Sequence, residues 1–154
     1  MSQTLEATFD CHDIVVAEAR LAHAAHWRMS GDEGTGDKLA KLVTDTWQAA
    51  VRALHSSRLL VEYKIAPHLR ERIDVVDRTA GVAYEMKVSP NNVHMKFYKD
   101  IFKALMARDN GLPHLKRFVF LTPQLGAQKL SRGLGHAVVE HGKSFGLSIE
   151  VVSL

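Results

Sequence analysis

Apolar residues recur at helical spacing in the first third of the chain and at strand spacing soon after it. From Ala7 to about Arg28, the residues Phe9, Ile14, Val15, Ala17, Leu21 and Ala25 predict an amphipathic helix. Ser30–Asp37 (SGDEGTGD) has the composition of a loop. Asp37 is placed to cap a second helix running to about His55, with Leu39, Leu42, Val43, Thr46, Trp47, Ala50 and Leu54 on one face. The period then shortens to two. Arg58–Pro67 and Arg70–Arg78 predict strands, Thr79–Gly81 a turn, and Val82–Val88 the returning strand of a hairpin. Ser89–Asn92 leads into a helix at about Val93–Ala107, followed by a short apolar strand, Lys116–Thr122, of the kind buried on both faces. A further helix over Leu125–Phe145 and a last strand over Leu147–Val152 complete the order α-α-β-β-β-α-β-α-β. A hairpin followed by helical crossovers predicts an α/β architecture, a mixed sheet between helices. No repeat or linker divides the chain, so one domain is expected over residues 1–154.

Composition narrows the class without naming a function. The 154 residues are 46% hydrophobic and 24% charged, which excludes collagen-like, disordered and disulfide-scaffold proteins. Cys11 stands alone, so no intrachain disulfide is possible and a reducing cytoplasm is the expected compartment. No apolar run approaches the ~18 residues of a membrane span, and MSQTLEATFD lacks the parts of a leader peptide, so no membrane partner is expected. The net charge of +3 is unevenly distributed. Residues 1–63 hold 6 basic and 9 acidic groups, whereas residues 64–117 hold 11 basic and 6 acidic groups. The middle third therefore carries a positive field able to steer a polyanion, or simply a well-solvated surface.

Candidate chemistry falls in that same third. Asp74 lies between Ile73 and Val75 on a predicted strand, and Glu85 and Lys87 share one face of the next. A turn near Gly81 brings Asp74 opposite the Glu85–Lys87 pair. Two carboxylates and an ammonium on half-buried strands are costly to desolvate, and a chemical task would account for that cost. Two carboxylates with a backbone carbonyl between them offer hard oxygen ligands suited to Mg²⁺ or Mn²⁺. Glu62-Tyr63-Lys64 repeats the Glu-x-Lys spacing without an apolar-apolar-Asp strand before it, and a structural role is expected there. Asp77, three residues beyond Asp74, is expected at the surface. His23-x-x-His26 has a spacing usable for zinc but no second ligand pair, so surface histidines are expected. On the helix after the hairpin, Lys96, Lys99 and Lys103 form a basic stripe, and Val93, Phe97, Ile101 and Leu105 an apolar one. Trp27 and Trp47 are expected in the core.

The run RIDVVDRTAGVAYEMKVS resembles the core motif of the PD-(D/E)xK, or restriction-endonuclease-like, nuclease superfamily: apolar-apolar-Asp on one strand, Glu-x-Lys on the next. The α-β-β-β-α-β order from about residue 37 to 122 is similar to that superfamily's core. The resemblance implies a three-layer α/β/α fold with a mixed central sheet, spanning residues 37–154, with residues 1–30 an extra N-terminal helical arm that covers the sheet or makes a dimer contact. It implies a metal-dependent DNA endonuclease, with Asp74 and Glu85 as metal ligands, the Met86 carbonyl as a third, and Lys87 as the catalytic lysine. A further acidic ligand on the preceding helix would be Asp37, with Asp45 the other candidate. Lys96, Lys99, Lys103 and Tyr98 would bind the nucleic acid, the lysines at its phosphates, and Tyr98 and His94 would either face the metal site from the same helix or form an aromatic pair at the sheet edge. Mg²⁺ or Mn²⁺ is the implied cofactor and DNA the implied partner. A homodimer is the implied assembly, with a partner protein able to supply target recognition. The alternative is a non-catalytic nucleic-acid-binding or assembly subunit that retains the fold.

Overall fold

A computed structural model describes residues 10–27, 36–54 and 57–154. Five strands form one sheet in the order β1(Leu59–Lys64), β2(Arg72–Asp77), β3(Val82–Met86), β4(Arg117–Thr122) and β5(Ser148–Ser153). β1 to β3 are antiparallel neighbours, and β3 to β5 are parallel, so the sheet is mixed. α1(His12–Trp27) and α2(Gly36–Leu54) cover one face. α3(Val93–Asn110), α4(Gln124–Leu130) and α5(Gly133–Gly142) border the other. The expected α/β class and mixed sheet between helices hold. Among the described residues, no helix is long and apolar enough to cross a membrane.

β4 carries the double-sided burial that its unbroken apolar run predicts. Phe118 and Phe120 pack toward α3, and Val119 and Leu121 toward α1 and α2. α1 takes the place of a cover: Cys11, Val15, Val16, Ala19 and Ala22 are in the core with Val43, Trp47 and Val51 of α2. The Trp47 indole donates to the Val15 carbonyl at 3.0 Å, and the Arg20 guanidinium donates to the Ser153 carbonyl at 3.0 and 3.2 Å. Both helices are turned from the predicted faces. Leu21 is 63% exposed and Leu42 and Leu54 are each 44% exposed, because neighbouring apolar residues compete for the same face. The Trp27 side chain and most of the Ser30–Asp37 loop lie outside the described residues.

Three other departures have clear causes. The single helix expected over Leu125–Phe145 is broken between α4 and α5, and a 3₁₀ turn, Lys143–Phe145, follows α5. Ser131 ends α4 by donating its amide to Ala127 and its hydroxyl to Gln128, and Gly133 enters α5 at φ +56°. A side chain at Gly135 would stand 2.6 Å from the Leu130 carbonyl oxygen, so α5 begins against the end of α4. Asp77 is fully buried rather than at the surface: its carboxylate accepts from the Thr79 and Ala80 amides and from both arms of Arg58. It thereby pins the hairpin turn. Finally, β1 and β2 do not alternate strictly. Glu62 has φ +51° between the register pairs Val61–Val75 and Tyr63–Ile73. Val61 and Val75 face α1 and α2, whereas Tyr63 and Ile73 face α3, so both strands change face at the level of Glu62 and Asp74.

Candidate active site

β2 and β3 pair from Asp77–Val82 to Val75–Tyr84, and no registered pair follows. The next two residues in that register are Asp74 and Glu85. Where the ladder stops, the Asp74 carboxylate takes the place of a backbone acceptor: its Oδ2 receives the Met86 amide at 2.9 Å. The Lys87 amide donates to Leu121 of β4 at 2.8 Å. Successive peptide groups of a strand point to opposite sides, so the Met86 carbonyl faces the β2 side, as its amide does. Two carboxylates and this carbonyl therefore converge on one gap. Gln48, buried on α2, braces it from behind by donating to the Asp74 carbonyl at 3.0 Å and to Glu62 Oε1 at 2.8 Å.

Glu85 and Asp100 are both 0% exposed, and ionised groups are rarely buried without partners. Lys103 Nζ lies 2.5 Å from Glu85 Oε1, 2.9 Å from Asp100 Oδ1 and 2.6 Å from the Arg72 carbonyl oxygen. The Arg72 carbonyl accepts a hydrogen bond from this ammonium, and the two carboxylates meet it as ion pairs. Lys96 Nζ lies 2.7 Å from Asp100 Oδ1 and 3.6 Å from Glu85 Oε2. The contacting groups are three carboxylates (Asp74, Glu85 and Asp100) and two ammoniums, an excess of one negative charge.

Burial pushes the Glu85 carboxyl well above its ordinary range, and the charges of Asp74 and Asp100 push the same way, against the pull of Lys96 and Lys103. Burial likewise raises Asp74, while the Met86 amide opposes it. For Lys103 burial works downward, but the charges of Glu85 and Asp100 outweigh it and hold the ammonium protonated far into alkaline pH.

These residues leave buried oxygens and negative charge uncompensated. Both Glu85 oxygens and Asp100 Oδ2 are buried without a hydrogen-bond donor, and the excess charge calls for a proton or a metal. Among the described residues, no three His, Cys, Asp or Glu side chains are grouped to hold a metal ion. A cation would rest on Asp74, Glu85 and the Met86 carbonyl, with water completing its shell, as suits Mg²⁺.

The remaining expected residues divide. Lys87 sits one residue past β3, half-buried, with no side-chain hydrogen bond or ion pair among the described residues. Asp37 does not join the site and is not a cap: it is exposed inside the first turn of α2, a helix packed on the other face of the sheet. Asp45 is exposed and paired with Lys41 at 2.6 Å. The stripe Lys96–Lys99–Lys103 is not uniformly at the surface. Lys99 is exposed and Lys96 half-exposed, but Lys103 is consumed by Glu85 and Asp100 and is 7% exposed. Tyr98 turns away and lines an apolar groove between α3 and α5 with Ile101, Phe102 and Leu105; its ring lies 6.2 Å from that of His94. In the Glu62-Tyr63-Lys64 repeat, Glu62 is bound by Gln48 and both charged residues are exposed. His26 bonds Thr46 at 3.0 Å across α1 and α2.

Gln48 and Asp100 were missed, and each left a trace. Gln48 interrupts the apolar face of Val43, Trp47 and Val51, and Asp100 falls in the buried series Val93, Phe97, Ala104 and Ala107. A polar residue at a core position of a helix is the signal. Comparison of the chain with protein-family models, curated proteins and solved structures gives no match in any of the three.

Proposed function

We propose that the protein is a metal-dependent DNA endonuclease of the restriction-endonuclease-like class, hydrolysing phosphodiester bonds with Mg²⁺ or Mn²⁺. The observation that carries this is the meeting of Asp74 and Glu85 where the β2–β3 ladder ends, with the Asp74 carboxylate on the Met86 amide. The order α2-β1-β2-β3-α3-β4 and the helices on both faces of a mixed sheet support the same reading.

In this function Asp74 and Glu85 hold the cation, with the Met86 carbonyl between them. The chemistry such a cation would supply there is polarisation of a phosphoryl oxygen and a lowered pKa for a bound water. Lys87 shares the face of Glu85 and has no competing partner among the described residues, so its ammonium is available to orient the attacking water and to balance charge on the phosphorane. Exposed Lys99 draws the DNA backbone toward the site. Cutting both strands of a duplex calls for two such sites, hence a working homodimer, and a partner protein would supply target choice.

A second reading has its own support. Lys96 and Lys103 already neutralise two of the three carboxylates, as in the polar cluster of a non-catalytic DNA-binding or assembly subunit. Incubation with supercoiled, linear and single-stranded DNA, with and without Mg²⁺ or Mn²⁺, separates the two. Cleavage is expected only with metal, and Lys87→Ala should lower it by about 10²-fold or more, as loss of a transition-state electrostatic group does. Cleavage that survives this substitution removes Lys87 from the chemistry. Binding without cleavage of any substrate selects the second reading.

A further inference from the structure

The structure assigns a role to Asp100 that rests on the phosphodiester reading and extends it. We propose that Asp100 is a positioning residue: it holds the ammonium of Lys96 at the open side of the Asp74–Glu85 pair, where that cation meets a phosphodiester oxygen of bound DNA.

Spacing begins the argument. Lys96, Asp100 and Lys103 are separated by four and three residues and share one face of α3, turned toward Glu85. The two lysines bound to Asp100 differ in what they have left to give. Lys103 has a side chain 9% exposed and is enclosed by the Arg72 carbonyl, which accepts its hydrogen bond, and by ion pairs to Glu85 and Asp100. Lys96 has a side chain 32% exposed, one close partner in Asp100 at 2.7 Å, and a looser approach to Glu85 at 3.6 Å.

The two lysines also meet different oxygens of Glu85: Lys103 takes Oε1 and Lys96 stands off Oε2. Lys96 is thus the outward cation of the cluster, with donors to spare for an anion arriving from solvent. A free lysine side chain samples many rotamers, and fixing one on binding costs conformational entropy. Asp100 meets that cost in advance, during folding. A buried carboxylate used to aim a half-exposed ammonium fits its place in an otherwise apolar series, where an apolar residue would pack at lower cost.

The test uses the full chain and a short labelled DNA duplex, with Ca²⁺ as a divalent ion of like oxygen preference but looser coordination than Mg²⁺. Asp100→Asn and Lys96→Met are each expected to weaken binding about fivefold and to reduce the slope of log affinity against log salt by about one. The double variant should bind no more weakly than Lys96→Met alone, since one acts through the other. An Asp100→Asn slope equal to that of the wild type, or losses that add in the double variant, would overturn the proposal. Asp100 is buried, so a second measurement leaves it in place. In the wild-type protein carrying ¹³Cε-labelled lysine, added duplex should shift the Lys96 resonance and leave that of Lys103 still. A Lys96 resonance unmoved at saturating duplex overturns the role of Asp100 alone, whereas wild-type protein that binds no duplex at all overturns the phosphodiester reading with it.

Discussion

At Glu85 three effects meet: complete burial, two neighbouring carboxylates, and two ammoniums that offset them only in part. Because its folded pKa lies above the unfolded one, the folded protein keeps a proton that the unfolded chain gives up. Stability of the metal-free protein therefore falls as pH rises above about 4.5 and levels off past the folded pKa. Glu85→Gln removes that penalty, leaving Lys103 with Asp100 and the Arg72 carbonyl. In EDTA at pH 7 the variant should be more stable than wild type, with the two converging near pH 4, as thermal melts would read. Added Mg²⁺ should raise the wild-type Tm and leave the variant unmoved. Asp74, Glu85 and Lys87 were legible in the sequence because strand alternation and hairpin arithmetic use only local spacing. Asp100 and Gln48 were not, since a charged or amide residue on a helix reads by default as solvent-facing. Only the packing of α3 and α2 reveals those positions as interior.

Among the elements, the β2–β3 hairpin was the most faithfully foretold. Its turn sits where the apolar pattern reverses, and the register places Asp74 and Glu85 one step past Val75–Tyr84. Gly81 is required there twice over. Its φ is +69°, and a Cβ would lie 2.3 Å from the His114 carbonyl oxygen, while its own carbonyl accepts the Lys116 and Arg117 amides. Gly81→Ala should cost about 2–4 kcal/mol by denaturant unfolding, with the loss in the midpoint and not in the slope. Features that depend on neighbours distant in sequence stayed hidden. The left-handed Glu62 is held by Gln48 from another layer, and the break before α5 follows from the close approach of Gly135 to Leu130. The faces of α1 and α2 were misjudged for a simpler reason. Runs such as Ile14-Val15-Val16 and Leu42-Val43 satisfy several helical faces equally, and only the sheet decides among them.

At the scale of the whole molecule, the first helix matters more than a peripheral arm would. It completes the layer that buries Tyr84, Met86 and Val119, the residues behind the site. A chain beginning at Gly36 should lose its cooperative thermal transition and bind a hydrophobic dye, because Val43, Trp47 and Val51 would lose their cover. The hairpin that carries the site also restricts how such a sequence can diverge. Side chains along β2 and β3 can be exchanged one at a time, but inserting a single residue within β3, between Val82 and Glu85, would turn Glu85 to the face of α1 and α2 and strand Asp74 alone. Lineages descended from this chain are thus free to vary in the letters of the two strands, and in the turn between them, but not in the count of β3 residues that precede Glu85. That parity within the strand, kept constant amid drifting sequence, is the signature by which distant kin would be recognised.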